Sequence, residues 1–231
     1  MLIVTQLSGF GAGDSGTGGT GGIDSFTVLM LHFDGADGST TFTDSSLTTP
    51  HTFTRANAVA ITTAQSKFGG ACLDKAQNGY ITCPGNADFD FGTGNFTIDF
   101  WVRFNTTTRG YCVDQQTNYG TIIITPSSGL VEIYDISSGH IINAGATAFS
   151  TGVWYHIALV RNGTSWVVYR DGTSYVSATS SSAFGNSTSA LFIGSAGNGS
   201  WQINAWFDEM RFSKGIARWT ANFTPPTAPY S

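Results

Sequence analysis

The chain has 231 residues, of which 41% are apolar and 13% aromatic, and this is enough apolar material to fill one large core. Lys and Arg total 10 against 15 Asp and Glu, giving a formal net charge of −5, and the scattered basic residues argue against electrostatic binding of nucleic acid. No apolar run approaches the roughly 18 residues of a membrane-spanning helix, and the low charged content of 11% favours strands over helices.

The first 24 residues differ in composition from the rest of the chain. Residues 8–22 are dominated by glycine, with Ser, Thr and Asp between, and such a run alone buries too little surface to offset the entropy of ordering. We therefore predict a docking arm over residues 1–24, held by a neighbouring subunit, and one domain over residues 25–231. The segment Met1–Leu7 lacks the basic region and the long apolar core of a secretory signal, so we expect no export by that route.

From Ser25 onward, short segments bounded by Gly, Pro, Asn and Asp predict roughly a dozen strands. These segments are residues 26–33, 58–62, 68–74, 79–84, 95–104, 110–114, 121–125, 130–136, 140–144, 153–161, 165–170, 190–194 and 203–212. The turn pairs Asn162-Gly163 and Asp171-Gly172 predict two tight hairpins, and no segment has a helical period. Turn signals every 8 to 12 residues are typical of a sandwich or jelly roll.

Two strands carry the most information. In the segment 95–104, five large apolar side chains alternate with polar ones, which predicts one buried face formed by Phe96, Ile98, Phe100, Val102 and Phe104. In the last segment Trp206, Met210 and Phe212 alternate with polar residues in the same way. We predict that this last strand pairs with the first one and that the proline-rich end of the chain then lies across a surface.

The three cysteines leave one thiol unpaired in any disulfide scheme. Cys72 and Cys83 flank a turn signal at Asn78-Gly79, and one hairpin register would place them opposite each other in a disulfide. We favour the alternative, in which Cys72, Cys83 and Cys112 are small buried thiols.

Several stretches of this chain resemble the laminin-G-like, concanavalin A-like jelly-roll domains of bacterial and phage proteins. They are LHFDGADG (31–38), AQSKFGG (64–70), DFDFGTGNFTIDFWVRF (88–104), TGVWYHIALVR (151–161), YRDG (169–172), FDEMRFSKG (207–215) and FTPP (223–226). The resemblance implies two antiparallel sheets and, in many members of the family, glycan binding or surface display. It does not by itself imply catalysis.

The resemblance also makes a structural calcium site plausible at the sheet edge where the first and last strands meet. Asp34 ends the first strand and Asp208 lies on the last, so the two carboxylates converge if those strands pair, and loop carbonyls would complete the ligands. The alternative is that Asp34 only ends a turn and that Asp208 faces water or an arginine. No other cofactor is expected.

Glycan binding requires aromatic rings that stack on the sugar, with polar side chains around them. The candidates by strand parity or loop position are Trp101, Tyr111, Tyr119, Tyr134 and Trp201. For each of them, packing in the core or against a subunit is the competing interpretation.

Catalysis is not predicted. Retaining glycosidases of this architecture use two carboxylates about 5 Å apart, usually in a Glu-x-Asp-x-Glu pattern, whereas the chain has only Glu132 and Glu209. No nucleophile motif surrounds any of the four histidines, and His156 is interpreted as a core or groove histidine. We expect a non-enzymatic phage virion protein, a head decoration, fibre or tail component at the virion surface, that binds other virion proteins and forms a homo-oligomer. A bacterial surface or secreted carbohydrate-binding module is the alternative.

Overall fold

A computed structural model describes residues 22–75, 78–115, 118 and 120–231 of the chain. Two large antiparallel sheets face each other across one continuous hydrophobic core, which confirms the predicted all-β sandwich. Within these residues the helical structure is a single 3₁₀ turn, Ala87–Phe89. The described residues form no helix that is long and apolar enough to cross a membrane.

Eight strands form the first sheet. They are β1 (Thr27–Leu31), β3 (Ala60–Thr62), β4 (Cys72–Asp74), β7 (Phe96–Phe104), β12 (Trp154–Asn162), β13 (Ser165–Arg170), β14 (Thr173–Thr179) and β17 (Ala205–Lys214). Their spatial order is β14-β13-β12-β7-β17-β4-β3, and β1 pairs with β17. The predicted hairpins β12-β13 and β13-β14 are both present.

Seven strands form the second sheet. They are β2 (Thr54–Asn57), β5 (Gly79–Cys83), β8 (Gly110–Gln115), β9 (Thr121–Thr125), β10 (Leu130–Asp135), β11 (Gly139–Gly145) and β16 (Leu191–Ile193). In the order β11-β10-β9-β8-β16-β5-β2, the consecutive strands β8 to β11 are neighbours and form a meander. The short strands β6 (Asp90–Gly92) and β15 (Phe184–Gly185) pair with each other at the margin.

The central strand β7 confirms the period-two prediction. Its predicted apolar face belongs to the core, where Phe100 and Phe104 have no exposed surface. Burial of each such side chain stabilises the fold by about 1.5 to 3 kcal/mol. This strand therefore anchors the sandwich, with β12 on one side and β17 on the other.

The last strand β17 pairs with β1, as predicted, but its alternation is interrupted. The register with β7 shifts between Asp208 and Arg211, and Glu209 adopts a positive φ of 47°. This β-bulge puts Met210 in the core but leaves Trp206 on the opposite face, so the prediction that Trp206 alternates in phase with Met210 is wrong. The indole of Trp206 instead donates a hydrogen bond to Asp74, at 3.0 Å.

The segment after β17 closes the outer face of the eight-stranded sheet, as the proline-rich ending predicted. Trp219 and Phe223 stack with their ring centroids 4.0 Å apart, and Trp219 packs on Ala158 and Tyr169. We call residues 215–231 the C-terminal strap. The strap covers outward side chains of both central strands, among them Thr97 of β7 and His156 of β12, which have no exposed surface.

A buried polar network holds the end of the strap. Asp99 has no exposed surface and accepts hydrogen bonds from the Tyr230 hydroxyl and from Arg211 Nε, the latter at 3.1 Å. The Arg211 guanidinium lies 3.7 Å from the Tyr230 ring centroid. Since Arg211 and the hydrogen bonds favour the ionised carboxyl, the pKa of Asp99 lies below its ordinary value despite full burial.

The cysteines are buried free thiols. Cys72 lies in β4 of the eight-stranded sheet and Cys83 in β5 of the seven-stranded sheet, so they do not face each other across a hairpin. The disulfide alternative was therefore wrong, because the turn at Asn78-Gly79 carries the chain from one sheet to the other.

Candidate functional site

A pocket of about 320 Å³ opens on the outer face of the seven-stranded sheet. Two aromatic rings and a set of polar side chains line it, and one of the rings, Trp201, is 59% exposed. The lining residues are Tyr111, Asp114, Asn118, Ala196, Gly197, Asn198, Ser200 and Trp201. They come from β8, from the turn after it and from the loop that joins β16 to β17.

A β-bulge in β8 brings the strand's two functional side chains to one side. Tyr111 pairs with Ile123 of β9, whereas Val113 pairs with Ile122, so Cys112 is an extra residue in the ladder. Cys112 and Val113 both belong to the core. Tyr111 and Asp114, three positions apart, consequently both line the pocket, although a regular strand would send them to opposite faces.

The loop that carries Trp201 is fixed by hydrogen bonds to the body of the sandwich. The Trp201 carbonyl accepts from the Tyr111 amide at 3.0 Å, and the next side chain, Gln202, accepts from the Gly79 amide at 2.6 Å. Trp201 itself has a φ of 51°, a left-handed conformation that is unusual for a bulky residue. Such a backbone persists where surrounding contacts fix it, and here those contacts include the hydrogen bond from the Tyr111 amide.

Asp114 joins this loop to the sheet. It is 1% exposed, and its carboxylate accepts hydrogen bonds from the Gly197 amide at 2.7 Å and from the Thr121 hydroxyl. Burial raises the pKa of Asp114 to about 6, while these two hydrogen bonds act in the opposite direction. The group is therefore predominantly ionised at neutral pH, and it gives the pocket a negative floor.

An ion pair borders the aromatic side of the pocket. Arg109 binds Glu132 with both arms of its guanidinium, through Nε at 2.8 Å and Nη2 at 3.0 Å. The same guanidinium lies 5.2 Å from the Trp201 ring centroid and 5.5 Å from that of Tyr111. The hydrogen bond to Glu132 raises the pKa of Arg109 above its ordinary value, so Arg109 is charged where it faces the two rings.

The structure brings together two of the five predicted aromatic residues, Tyr111 and Trp201. Tyr134 lies on the same sheet, half-buried, with its ring 5.1 Å from that of His140, and it does not line the pocket. Trp101 lies on the other sheet and is only 5% exposed, because Lys67 and Phe68 pack on its ring and leave no open face for stacking. Tyr119 lies outside the described residues.

Sequence reasoning missed the polar half of the pocket. Asp114 was not recognised because the bulge beside it cannot be read from the strand's alternation. The amide of Asn198 and the hydroxyl of Ser200 belong to the Gly197-Asn-Gly-Ser200 turn, whose composition indicated a loop but no partner. Arg109 and Glu132 are 23 positions apart and meet only through the strand register.

The two predicted metal ligands, Asp34 and Asp208, both contact the loop that contains residues 67–69. Asp208 Oδ2 accepts from the amides of Lys67 and Phe68, at 2.7 and 3.1 Å, and Oδ1 is buried without a hydrogen-bond partner. The Asp34 carboxylate lies against Gly69, where an added Cβ would overlap it. Burial raises the pKa of Asp208 to about 8, and the negative charges of Glu209 and Asp34 add to this effect.

These features fit a hard cation in part. The orphaned Oδ1 of Asp208 and the nearby Asp34 carboxylate provide two oxygen ligands, and backbone carbonyls or water would have to supply the rest. In the described part of the chain, no group of three or more His, Cys, Asp and Glu side chains is arranged to hold a metal ion. Calcium therefore remains a prediction for this edge, and it would tie the loop to β17.

The two glutamates lie on different sheets and have different partners. Glu132 of β10 binds Arg109, whereas Glu209 of β17 binds His32 Nδ1 at 2.8 Å and the Tyr230 amide at 2.9 Å. They do not form the facing pair that glycoside hydrolysis requires. His156 is fully buried beside Asp99, in keeping with its interpretation as a core histidine.

Comparisons with known proteins agree with this architecture. A family model described as the concanavalin A-like lectin/glucanases superfamily matches residues 74–218. No curated protein matches the sequence.

Similar solved structures include domain 4 of AbnA, a GH43 extracellular arabinanase from Geobacillus stearothermophilus, in complex with arabinotriose. The TM-score is 0.62 at 18% identity, over 83% of this chain and 93% of that domain. The binding domain of Paraclostridial Mosquitocidal Protein 1 gives the same TM-score and identity over 83% of this chain and 50% of that chain.

The Botulinum Neurotoxin serotype G binding domain has a TM-score of 0.61 at 13% identity, over 83% of this chain and 49% of that chain. This protein thus spans about half the length of the two toxin binding domains. At these identities the likenesses concern the fold alone. The family model, however, covers more than half of the sequence and includes most of both sheets, and the chain therefore belongs to the concanavalin A-like lectin/glucanase superfamily.

Proposed function

We propose that the chain is a non-enzymatic carbohydrate-binding protein and that its ligand occupies the pocket between β8 and the loop carrying Trp201. The observation that carries this proposal is the exposed Trp201 indole, on a backbone hydrogen-bonded to β8, beside a set of polar side chains. A pyranose or furanose ring presents C–H groups that pack on an aromatic face, and its hydroxyls bind amides, hydroxyls and carboxylates. Asn118, Asn198 and Ser200 supply such groups around the indole.

The neighbours in fold space support this assignment by analogy. The structure of the arabinanase domain contains arabinotriose, and cell entry of botulinum neurotoxin type C, another protein of similar fold, depends on interaction with two ganglioside molecules. Arabinotriose and gangliosides both carry saccharides, so oligosaccharides are the first class of ligand to test on this chain.

The test is binding of the purified protein to a broad glycan array, followed by calorimetric titration with the best oligosaccharide. Trp201→Ala removes the stacking surface, and we expect it to weaken binding about tenfold or more, as for a central aromatic contact. Leu47→Ala, at another exposed apolar side chain 67% accessible to solvent, is the matched control. An array without any binder, or equal affinities for the wild type and Trp201→Ala, would refute the proposal.

We further propose that the protein is displayed at a virion surface, assembled in the host cytoplasm and attached through residues 1–24. The root of this arm supports the idea: the Ile23 amide donates to the Ser231 carbonyl at 3.1 Å, and Asp24 binds Arg218 at 2.7 Å. This root lies at the C-terminal strap on the eight-stranded sheet, whereas the pocket opens on the other sheet. Attachment through the arm would thus leave the pocket facing outward.

Deletion of residues 2–22 tests the display proposal. We expect loss of incorporation into purified particles, together with retention of the folded domain and of glycan binding. Normal incorporation of the deleted protein would exclude the arm as the attachment segment. The alternative, a bacterial surface or secreted carbohydrate-binding module, predicts that the protein is found on cells or in the medium and not in particles.

A further inference from the structure

We infer that the pocket selects uncharged saccharides over acidic ones, and that Glu132 sets this selectivity by occupying Arg109. This inference rests on the proposed function and names the class of ligand that the same site takes. Glu132 acts through Arg109 and is therefore a positioning residue.

The charges around the pocket disfavour an acidic ligand. Among the described residues that line it, Asp114 is the charged one, and no lining residue is a lysine or an arginine. The sequence Gln116-Thr-Asn-Tyr-Gly120 between β8 and β9 also contains no acidic or basic side chain. A sugar carboxylate in the pocket would face the Asp114 carboxylate without a cation to compensate, and the overall charge of −5 adds to the repulsion.

Arg109 is the cation nearest to the aromatic rings, and it is committed to Glu132. Two guanidinium nitrogens bind the two carboxylate oxygens in the fork geometry that an acidic sugar would otherwise use. The Glu132 side chain is 8% exposed and that of Arg109 is 30% exposed, so the pair is partly shielded from water. Glu132 thus occupies the Nε and Nη2 edge of Arg109, and that edge is not open to a ligand.

Lys75 does not add a positive charge to the lining of the pocket. It is 1% exposed, and its ammonium donates to Gln202 Oε1 at 3.4 Å, on the inner side of the loop that carries Trp201. Its aliphatic chain packs against Gly194. Lys75 is thus buried and is not among the residues that line the pocket.

The experiment measures affinities for matched pairs of oligosaccharides, for example lactose with 3′-sialyllactose, and a neutral trisaccharide with the corresponding uronate. For the wild type we expect the neutral member of each pair to bind about tenfold or more tightly than the acidic one. Glu132→Gln removes the negative charge and one of the two acceptor oxygens that bind the guanidinium, so the ratio of acidic to neutral affinity should rise about tenfold. The double variant Arg109→Gln with Glu132→Gln should remove that rise, which a merely structural role of Glu132 would not predict.

A second measurement on the wild type keeps the inference testable if Glu132→Gln does not fold. Salt screens the repulsion from Asp114, so binding of the acidic member should strengthen between about 0.01 M and about 1 M salt while the neutral member changes little. A wild-type preference for acidic sugars, or an unchanged ratio in Glu132→Gln, overturns the selectivity alone. An array with no binder of either class overturns the proposed function and this inference with it.

Discussion

Substitution of Asp114 by Asn should change how the stability of the protein depends on pH. The carboxyl is nearly inaccessible, and burial raises its pKa from 3.8 to about 6. Asn has almost the same shape, can accept from the Gly197 amide through Oδ1 and can donate to the Thr121 hydroxyl through Nδ2. The substitution therefore removes the titration and keeps both hydrogen bonds.

The direction of the pH dependence follows from the proton affinities of the folded and unfolded states. Because the folded state holds this proton more tightly than the unfolded state, the carboxyl contributes stability at low pH, and that contribution is lost as the pH rises through about 6. Each tenfold difference in proton affinity corresponds to about 1.4 kcal/mol, so the full range amounts to about 3 kcal/mol. Between about pH 7.5 and about pH 4.5 the contribution of Asp114 is about 2 kcal/mol.

The assay is urea unfolding of the wild type and of Asp114→Asn at these two pH values. Other groups titrate in the same range, but their contributions cancel when the two proteins are compared at one pH. The free energy of unfolding of the wild type, relative to the variant, should increase by about 2 kcal/mol at the lower pH. Asp37→Asn, at an exposed loop carboxyl, is the control. Parallel pH profiles for the wild type and Asp114→Asn would refute the reasoning.

Three further predictions concern the rest of the fold. If calcium binds at Asp34 and Asp208, the melting temperature should rise with calcium and fall with chelator, and Asp208→Asn should abolish the difference; no shift in the wild type would exclude the site. Tyr230→Phe should lower the free energy of unfolding by about 1.5 to 3 kcal/mol, because the hydroxyl that binds ionised Asp99 is lost, and an unchanged value in urea unfolding would show that the strap contributes little. Burial raises the pKa of all three cysteine thiols, so a thiol reagent should label them only after denaturation, and rapid labelling of the native protein would contradict this.

The strands that could be predicted from the sequence are those in which apolar and polar residues alternate strictly. Strand β7 was predicted with its buried face because five apolar residues at period two leave one way to bury them. The pairing of β17 with β1 was also predicted, but the face of Trp206 was not, since the bulge at Glu209 inverts the alternation between them. A bulge depends on the partner strand, so one strand's pattern does not reveal it.

The candidate site, likewise, could be predicted only in part from the sequence. Tyr111 and Trp201 were selected as aromatic residues at surface positions, and both line the pocket. Trp101 satisfied the same criterion and points away from the core as its parity indicates, but packing by Lys67 and Phe68 covers it. Asp114 requires knowledge of the bulge at Cys112, and the Arg109 to Glu132 pair requires the register of the sheet. Residue type thus identified the aromatic contacts, while the polar groups depended on tertiary structure.

The two outer faces of the sandwich differ in how far their charged groups are covered, and this difference bears on the proposed ligand site. On the eight-stranded sheet, Asp99 and Arg211 compensate each other under the strap, at complete burial, where loss of one partner would cost about 3 to 5 kcal/mol. On the seven-stranded sheet, the Arg109 to Glu132 pair is only partly covered, and it lies beside the exposed indole of Trp201, whose backbone is left-handed. Such a backbone costs on the order of 1 to 3 kcal/mol at a bulky residue, and an exposed indole buries little surface in return, which supports the proposal that a ligand packs on it.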